Sequence, residues 1–220
     1  MDVAQFFQAA YGRNERYWWT VPQRHSTDPE DHHASVITRS VLRYARSRPP
    51  GRALDLGSGE GADAIRLALL GWRVDAVEIS GAGAEKIERF ARDAGVEVTV
   101  HHADARSYTA PARYDLIVCN GLLHYLPDKE EVIRSMQEMT HPGGANAISC
   151  WSTFTPVPRS HRIVPTYPDG EDGVITRLYR DWRRPLHYFE RNRLEASHDD
   201  MGEHVHSHIK MLAIAPSTDR

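Results

Sequence analysis

Cysteine is scarce in this 220-residue sequence, which contains only Cys119 and Cys150. Two cysteines exclude a disulfide-rich scaffold and a cysteine-based zinc site, so we expect both to be reduced packing residues. The formal net charge of −3 at pH 7 gives no electrostatic reason to expect nucleic acid as a partner. No long apolar run, signal peptide, internal repeat or low-complexity tract is visible. These absences favour a cytoplasmic protein that acts on a small molecule, as a monomer or homodimer.

The most informative segment that is present is a glycine loop. A predicted strand at residues 52–56 runs into three alternating glycines, Gly57, Gly59 and Gly61, and a predicted helix follows at residues 62–70. Glycine lets the backbone turn tightly and lets a ligand approach the main chain closely. A strand, a glycine loop and a helix in this order predict a nucleotide site at the carboxyl edge of a parallel sheet.

The residues around the glycines indicate which nucleotide binds. Gly57, Gly59 and Ala62 formally satisfy the dinucleotide pattern, which sets a pyrophosphate at a helix N-terminus. However, Asp55 and Glu60 would place carboxylates beside that phosphate, and like charges at short distance repel. A ligand with an adenosine and an amino group but no phosphate suits the loop better, which favours S-adenosyl-L-methionine (SAM).

Further acids follow the next two predicted strands. Glu78 ends the second strand, about twenty residues after the glycines, which is the usual spacing to a ribose-binding acid. Asp104 follows a third strand, predicted at residues 96–100, and is available to an adenine amino group. Either acid taken alone is also compatible with an ordinary solvated carboxylate.

Three further predicted elements complete the alternation of strands and helices. A fourth strand covers residues 114–120, a helix runs from Asp128 to about Thr140 and ends at Pro142-Gly-Gly, and a fifth strand covers residues 145–151. Residues 52–151 therefore predict an α/β fold with a doubly wound, mostly parallel sheet.

The segment Leu54–Gly61, together with Glu78, Asp104 and residues 114–120, resembles the successive motifs of class I SAM-dependent methyltransferases. Within that family, the chain looks most similar to the tellurite-resistance-type (TehB-like) and thiopurine-type enzymes. The resemblance implies a Rossmann-like sheet of seven strands, the last one antiparallel to the rest, and SAM as the cofactor. The cofactor-binding residues that we expect are Asp55, Gly57, Ser58, Gly59, Glu78, Ile79, Asp104, Ala105, Asn120, Trp19 and Arg24.

The C-terminal region supplies the last two strands, predicted as a hairpin of residues 184–196 and 204–215. Tellurite-type members carry a His-Arg pair at the end of the first of these strands, and this chain has Ala196-Ser197 there. A tellurite or selenite substrate is therefore not expected.

The N-terminal region is the least standard part of the chain. We predict a short helix at residues 2–10 and an amphipathic helix from Asp28 to about Arg46. By the resemblance, residues 1–48 form a helical lid over the cofactor in a single domain of residues 1–220. Tyr17 and its neighbours Trp18 and Trp19 either cover the sulfonium by cation–π attraction, which gives Tyr17 a catalytic role, or anchor this segment to the core.

Histidines supply the candidate base and one candidate cluster. His124 follows Asn120, which the resemblance places beside the transferred group, and it is our candidate general base, although packing at a helix entry is an equal alternative. His204, His206 and His208 share one strand face and could bind a metal with a further ligand. We favour an ordinary solvated face and no metal site. Weaker candidates for substrate contacts are His25, Trp151, Tyr179 and Trp182, and residues 153–170, within a substrate-side insertion at residues 152–183, could form a lid.

Three functions remain open at this point. The first is a methyltransferase acting on a nitrogen, oxygen or sulfur nucleophile of a small molecule, in natural-product or detoxification metabolism. The second is a SAM-utilising enzyme that cyclises SAM to azetidine-2-carboxylate and releases methylthioadenosine. The third is a non-catalytic module that binds SAM or another nucleotide.

Overall fold

The computed structural model describes residues 1–17, 26–158, 164–195 and 203–217. One seven-stranded sheet organises the chain, with strand order β3-β2-β1-β4-β5-β7-β6, and only β7 runs antiparallel to its neighbours. The predicted fold is therefore confirmed. The strands are β1 (Arg52–Leu56), β2 (Arg73–Glu78), β3 (Thr99–His102), β4 (Tyr114–Asn120), β5 (Thr140–Trp151), β6 (Arg183–Glu195) and β7 (His204–Ile214).

Helices cover both faces of this sheet, as a doubly wound fold requires. The helices are α1 (Val3–Arg13), α2 (Val36–Arg46), α3 (Ala62–Leu69), α4 (Gly81–Asp93), α5 (Lys129–Met139) and α6 (Val174–Leu178), with a 3₁₀ turn at Leu123–Tyr125. One apolar cluster joins α5 and α6 to one face of the sheet, and a second cluster joins α2, α3 and α4 to the other face. Among the described residues, we find no helix that combines the length and the apolar character needed to span a membrane.

The N-terminal helices differ from the prediction in one boundary. Helix α1 forms as expected and is capped by Asp2, whose side chain accepts from the N–H of Gln5. The predicted helix start at Asp28 is wrong, because the Asp28 carboxylate accepts from the N–H of Glu30 in a turn. Helix α2 begins instead after Ser35, whose hydroxyl accepts from the N–H of Thr38.

Two strand boundaries also differ from the prediction. Helix α5 ends at Met139 and Thr140 already belongs to β5, so the Pro-Gly-Gly segment lies inside the strand rather than before it. The pairing of β4 with β5 shifts register between Tyr114 and Leu116, which accommodates these extra residues. Strand β3 starts at Thr99 instead of residue 96. The hairpin is confirmed as β6 and β7, while Ala196-Ser197 lie outside the described residues.

A series of buried hydrogen bonds connects the C-terminal end of α6 to the sheet. The hydroxyl of Thr140 donates to Oδ1 of Asn146 at 2.7 Å, and Nδ2 of Asn146 donates to the hydroxyl of Tyr179 at 2.7 Å. Tyr179 is fully buried, and Trp182 packs edge-on against its ring at 5.0 Å. The expectation that Tyr179 contacts substrate is therefore wrong, and Trp182 has a packing role. Cys119 and Cys150 are buried free thiols, as expected.

Replacing Tyr179 by Phe should destabilise the fold, because it leaves the buried amide of Asn146 without its acceptor. We expect the free energy of unfolding to fall by about 1–3 kcal/mol in urea denaturation. The matched control is Tyr188→Phe, since Tyr188 is 45% exposed. If the two substitutions lower the free energy of unfolding equally, the hydrogen bond between Asn146 and Tyr179 does not stabilise the fold as described.

Candidate active site

The glycine loop connects β1 to α3 at the carboxyl edge of the sheet. Gly57, Gly59 and Gly61 have φ of +73°, +59° and +81°, a region that other residues rarely adopt. The N–H groups of Gly57 and Ser58 both donate to the carbonyl of Val77, at 2.9 and 3.0 Å. The loop is therefore folded back onto the end of β2, where the next acid lies.

Glu78 fastens this loop to the beginning of α4. Its Oε2 accepts from the N–H of Gly59 at 2.8 Å, and its Oε1 accepts from the N–H of Ser80 at 2.9 Å. The residue is 5% exposed, and burial raises its pKa to about 7. A carboxylate oxygen has two lone pairs, so each oxygen can still accept from one ribose hydroxyl. The predicted position of Glu78 at the strand end is confirmed.

Asp55 supports the loop from the other side. Its Oδ2 accepts from the hydroxyl of Ser58 at 2.7 Å and from the N–H of Ala64 at 3.1 Å. Burial, followed by the neighbouring Asp63, raises the pKa of Asp55 to about 7. These contacts make Asp55 a brace between the loop and the first turn of α3, and its contact with the methionine part of a cofactor stays a prediction.

Glu60 points toward α4 and the N-terminal segment. Its carboxylate accepts from Nζ of Lys86 at 2.7 Å and from the N–H of Tyr17 at 3.0 Å, and it is 1% exposed. The expectation that Glu60 would repel a phosphate is therefore wrong, because its charge is matched by a buried lysine on α4. Sequence reasoning missed Lys86, and a glutamate between two loop glycines was the only signal that a cation was needed.

Asn120 ends β4 beside the loop. Its Nδ2 donates to Oδ2 of Asp63 at 2.9 Å, and Oδ1 of Asp63 accepts from the hydroxyl of Thr38 at 3.1 Å. The structure thus brings Asn120 together with the first turn of α3, at the edge where Asp55 and Glu78 also lie. Its role beside the transferred group stays a prediction.

The adenine side of the predicted site is more exposed. Arg106 binds both carboxylate oxygens of Asp104 through Nε, at 3.0 and 3.1 Å, and this hydrogen bonding lowers the pKa of Asp104. An adenine amino group would therefore share the carboxylate with Arg106. Ile79 follows β2, and its carbonyl accepts from the ring of His102 at 3.1 Å. Ala105 packs at the margin of the core.

An aromatic cluster covers the loop on the N-terminal side. Tyr17 is 8% exposed and packs edge-on against Tyr11 with ring centroids 5.8 Å apart. Both belong to a cluster with Phe7, Tyr125 and Val164. These contacts support anchoring of the segment to the core, while catalysis by Tyr17 stays a prediction. Trp18, Trp19, Arg24 and His25 lie outside the described residues.

His124 is buried in a ring stack, which argues against the predicted role as general base. Its ring lies parallel to that of Trp151 with centroids 4.1 Å apart, and its Nδ1 accepts from the backbone N–H of Trp151 at 3.4 Å. The neutral ring then carries its proton on Nε2, and its one lone pair, on Nδ1, faces a backbone N–H of the protein. Burial, followed by repulsion from His208 and His206, holds the pKa of His124 well below its ordinary value.

The histidine face of β7 is buried, so the expectation of a solvated face is wrong. His204 is 9% exposed and His206 is 3% exposed, because β7 lies inside the sheet between β5 and β6. The ring of His206 stacks on Trp151 at 4.3 Å, on the same ring that packs against His124. Trp151 is thus held between two histidines.

The predicted lid, residues 153–170, is held at both ends by backbone contacts. Asp169 pairs with Ser152, donates its N–H to the carbonyl of Trp151 at 2.9 Å, and accepts from the first N–H groups of α6. The N–H of Tyr167 donates to the carbonyl of His124 at 2.6 Å. A cleft of about 590 Å³ lies between Met1 and the described lid residues.

The seven-stranded sheet with an antiparallel β7, the glycine loop and the buried acid at the end of β2 are typical of the class I methyltransferase fold. In agreement, residues 53–144 match the family model described as a methyltransferase domain. Residues 53–144 therefore form a domain of the class I SAM-dependent methyltransferase type, whose cofactor is SAM. The residues fit this cofactor, because the buried carboxylate of Glu78 can still accept from ribose hydroxyls, and the neighbouring Gly57 and Ser58 are only half-buried.

Curated relatives match over part of their length. The chain is 28% identical to hemagglutinin 1 of Eikenella corrodens, covering 84% of this chain and 61% of that protein. It is 32% identical to the ubiquinone biosynthesis O-methyltransferase of Pseudomonas putida, covering 65% of this chain and 59% of that enzyme. The chain thus spans less than two thirds of the length of either relative.

Solved structures agree on the fold. TehB of Haemophilus influenzae has a TM-score of 0.69 and 20% identity, covering 84% of this chain and 65% of that one. The N-methyltransferase NodS of Bradyrhizobium japonicum, in complex with S-adenosylhomocysteine, has a TM-score of 0.71 and 17% identity, covering 99% and 100%. At these identities, the similarity supports the fold alone.

The raised pKa of Glu78 should make stability depend on pH. Its pKa of about 7 lies above the ordinary value of 4.5, so the folded chain holds the proton more tightly than the unfolded chain. The stabilisation is complete at low pH and is lost as the pH rises through about 7. We expect the free energy of unfolding of the wild type, relative to Glu78→Gln, to fall by about 2–3 kcal/mol between about pH 5 and 8.

Urea denaturation across this pH range measures the difference directly. Asp55 titrates in both proteins, and its pKa is raised mainly by burial and Asp63, with Glu78 making only a smaller contribution. A difference that stays constant with pH would contradict the raised pKa.

Proposed function

We propose that this chain transfers the methyl group of SAM to a nitrogen, oxygen or sulfur nucleophile of a small molecule in the cytoplasm. The observation that carries the proposal is the buried carboxylate of Glu78 beside the main chain of Gly59. In this assignment the ribose hydroxyls bind Glu78, the methionine part lies along Asp55, Gly57 and Ser58, and the adenine contacts the exposed side. That exposed side is formed by Ile79, Asp104 and Ala105.

The residues of the chain mainly position the reactants and keep water out of the site. The bound cofactor supplies a methyl carbon that is already activated by its sulfonium. Methyl transfer is an in-line displacement, so alignment of the nucleophile with that carbon supplies most of the acceleration. The prebuilt contacts of Glu78 and Asp55 hold the loop in one conformation, and the cluster of Tyr11, Tyr17 and Tyr125 closes one side against solvent.

The acceptor is proposed to enter through the cleft between the N-terminus and the lid. Its volume of about 590 Å³ is in the range of small-molecule sites, about 300–1,000 Å³. The net charge of −3 also argues against a polyanionic acceptor such as nucleic acid. The curated ubiquinone biosynthesis enzymes are O-methyltransferases and NodS is an N-methyltransferase, so the nucleophile stays open among nitrogen, oxygen and sulfur.

Product analysis separates methyl transfer from the alternatives of SAM cyclisation and binding without turnover. The purified chain is incubated with SAM alone and with a panel of small phenols, amines and thiols. We expect S-adenosylhomocysteine only when a suitable acceptor is present. Methylthioadenosine formed without an acceptor, or tight SAM binding with no product from any acceptor, would contradict methyl transfer.

The cofactor assignment makes a separate prediction for Glu78→Gln. A neutral amide accepts hydrogen bonds from the two ribose hydroxyls less strongly than a carboxylate, by about 1 kcal/mol per bond. We therefore expect the dissociation constant for S-adenosylhomocysteine to rise about 10- to 100-fold in isothermal titration calorimetry at pH 8. The control is Glu97→Gln, an exposed position before β3. Unchanged affinity in Glu78→Gln would refute the ribose contact.

A further inference from the structure

A cluster of histidines and carboxylates lies where the end of β6 pairs with the beginning of β7. In the register of the two strands, Glu195 pairs with His204 and Glu190 pairs with His208. His204, His206 and His208 alternate along β7, so their side chains share one face. All three side chains are nearly buried, with 6%, 3% and 12% of their surface exposed.

The three imidazoles converge on the carboxylate of Glu195. Its Oε2 lies 3.2 Å from Nδ1 of His206 and 3.5 Å from Nε2 of His204, and its Oε1 lies 3.7 Å from Nε2 of His208. Ligand atoms of Glu195, His206 and His208 all lie within 4.8 Å of one another. Only the contact of 3.2 Å is short enough to be a good hydrogen bond.

The three distances from Glu195 to the imidazole nitrogens, 3.2–3.7 Å, are close to the spacing of ligand atoms around one metal ion. Two ligand atoms at about 2.0–2.1 Å from a tetrahedral metal ion lie about 3.3–3.4 Å apart. Imidazole nitrogens with a carboxylate oxygen form a ligand set suited to divalent transition metals, above all Zn²⁺. An ordinary packing of three buried imidazoles would not require them to converge on one carboxylate.

The surrounding residues support such a site. Lys210 is the nearest buried cation, and its Nζ lies 2.6 Å from Oε2 of Glu190, so its charge is matched by a carboxylate other than Glu195. Arg193 also lies near Glu190, at 3.5 Å. The ring of His206 is held by its stack on Trp151, which fixes the orientation that a metal ligand needs.

We propose that Glu195, His206 and His208 bind one divalent transition-metal ion, with His204 as a further ligand. The site lies beside Trp151, which pairs with His208, and β7 is two strand spacings, about 10 Å, from β4 and its terminal Asn120. A divalent ion held here can bind an electron-rich oxygen or sulfur of a small molecule. The site goes beyond the proposed methyl transfer, and its existence does not depend on that reaction.

Metal binding is tested without SAM or acceptor. The full chain, produced without a polyhistidine tag, is stripped with a chelator, dialysed and titrated with Zn²⁺ and with Co²⁺. We expect one equivalent of metal per chain by elemental analysis and the intense visible absorption of four-coordinate Co²⁺. Absence of stoichiometric binding, or a Co²⁺ spectrum typical of six oxygen ligands, would overturn the proposal.

Variants then assign the ligands. Glu195→Gln and His208→Gln keep the side-chain size and should weaken Zn²⁺ binding at least tenfold, with unchanged circular dichroism. The matched control is His33→Gln in the exposed group Asp31, His32 and His33, which also has metal-ligating side chains close together. If His33→Gln abolishes binding while the two buried variants retain it, the metal lies at the surface and the proposal fails.

Discussion

The double hydrogen bond of Glu78 is the interaction on which the candidate site depends. A buried carboxylate is costly unless donors surround it, and here the N–H groups of Gly59 and Ser80 supply them. One donor belongs to the glycine loop and the other to the beginning of α4. The same side chain therefore sets the conformation of the loop and its position relative to the neighbouring helix.

Helix α1 and Tyr17 are attached to the same part of the structure, the glycine loop and the beginning of α4. Oε1 of Gln8 on α1 accepts from the hydroxyl of Ser80 and from the N–H of Ala82, each at 3.0 Å. The Glu60–Lys86 ion pair adds a second link, because Glu60 also accepts from the N–H of Tyr17. The loop, helix α4 and the aromatic cluster are therefore connected by contacts within the chain itself, which favours a preorganised cofactor site.

Local patterns predicted the parts of this arrangement that depend on neighbouring residues. The alternation of apolar strand, glycines and helix located β1, the loop and α3, and the spacing to Glu78 located the acid at the end of β2. Such local patterns could not predict which residue the side chain of Glu60 contacts. Glu60 faces Lys86, 26 residues further along the chain, and only the packing of α4 against the loop brings them together.

The histidines of β7 show the same limit of prediction from local sequence patterns. Alternation along β7 correctly placed His204, His206 and His208 on one face, but not whether that face meets solvent. Its burial follows from the strand order, since β7 is inserted between β5 and β6, and from Trp151 packing on His206. Both are long-range features that a single sequence does not encode in any local pattern.

The central claim is that Glu78 joins the glycine loop to the cofactor's ribose. The most direct test is a crystal structure of the chain with S-adenosylhomocysteine. We expect the Glu78 carboxylate to keep its contact with the N–H of Gly59 and to accept from both ribose hydroxyls at about 2.5–3.0 Å. A ligand whose ribose lies away from Glu78, with the glycine loop unoccupied, would contradict the claim.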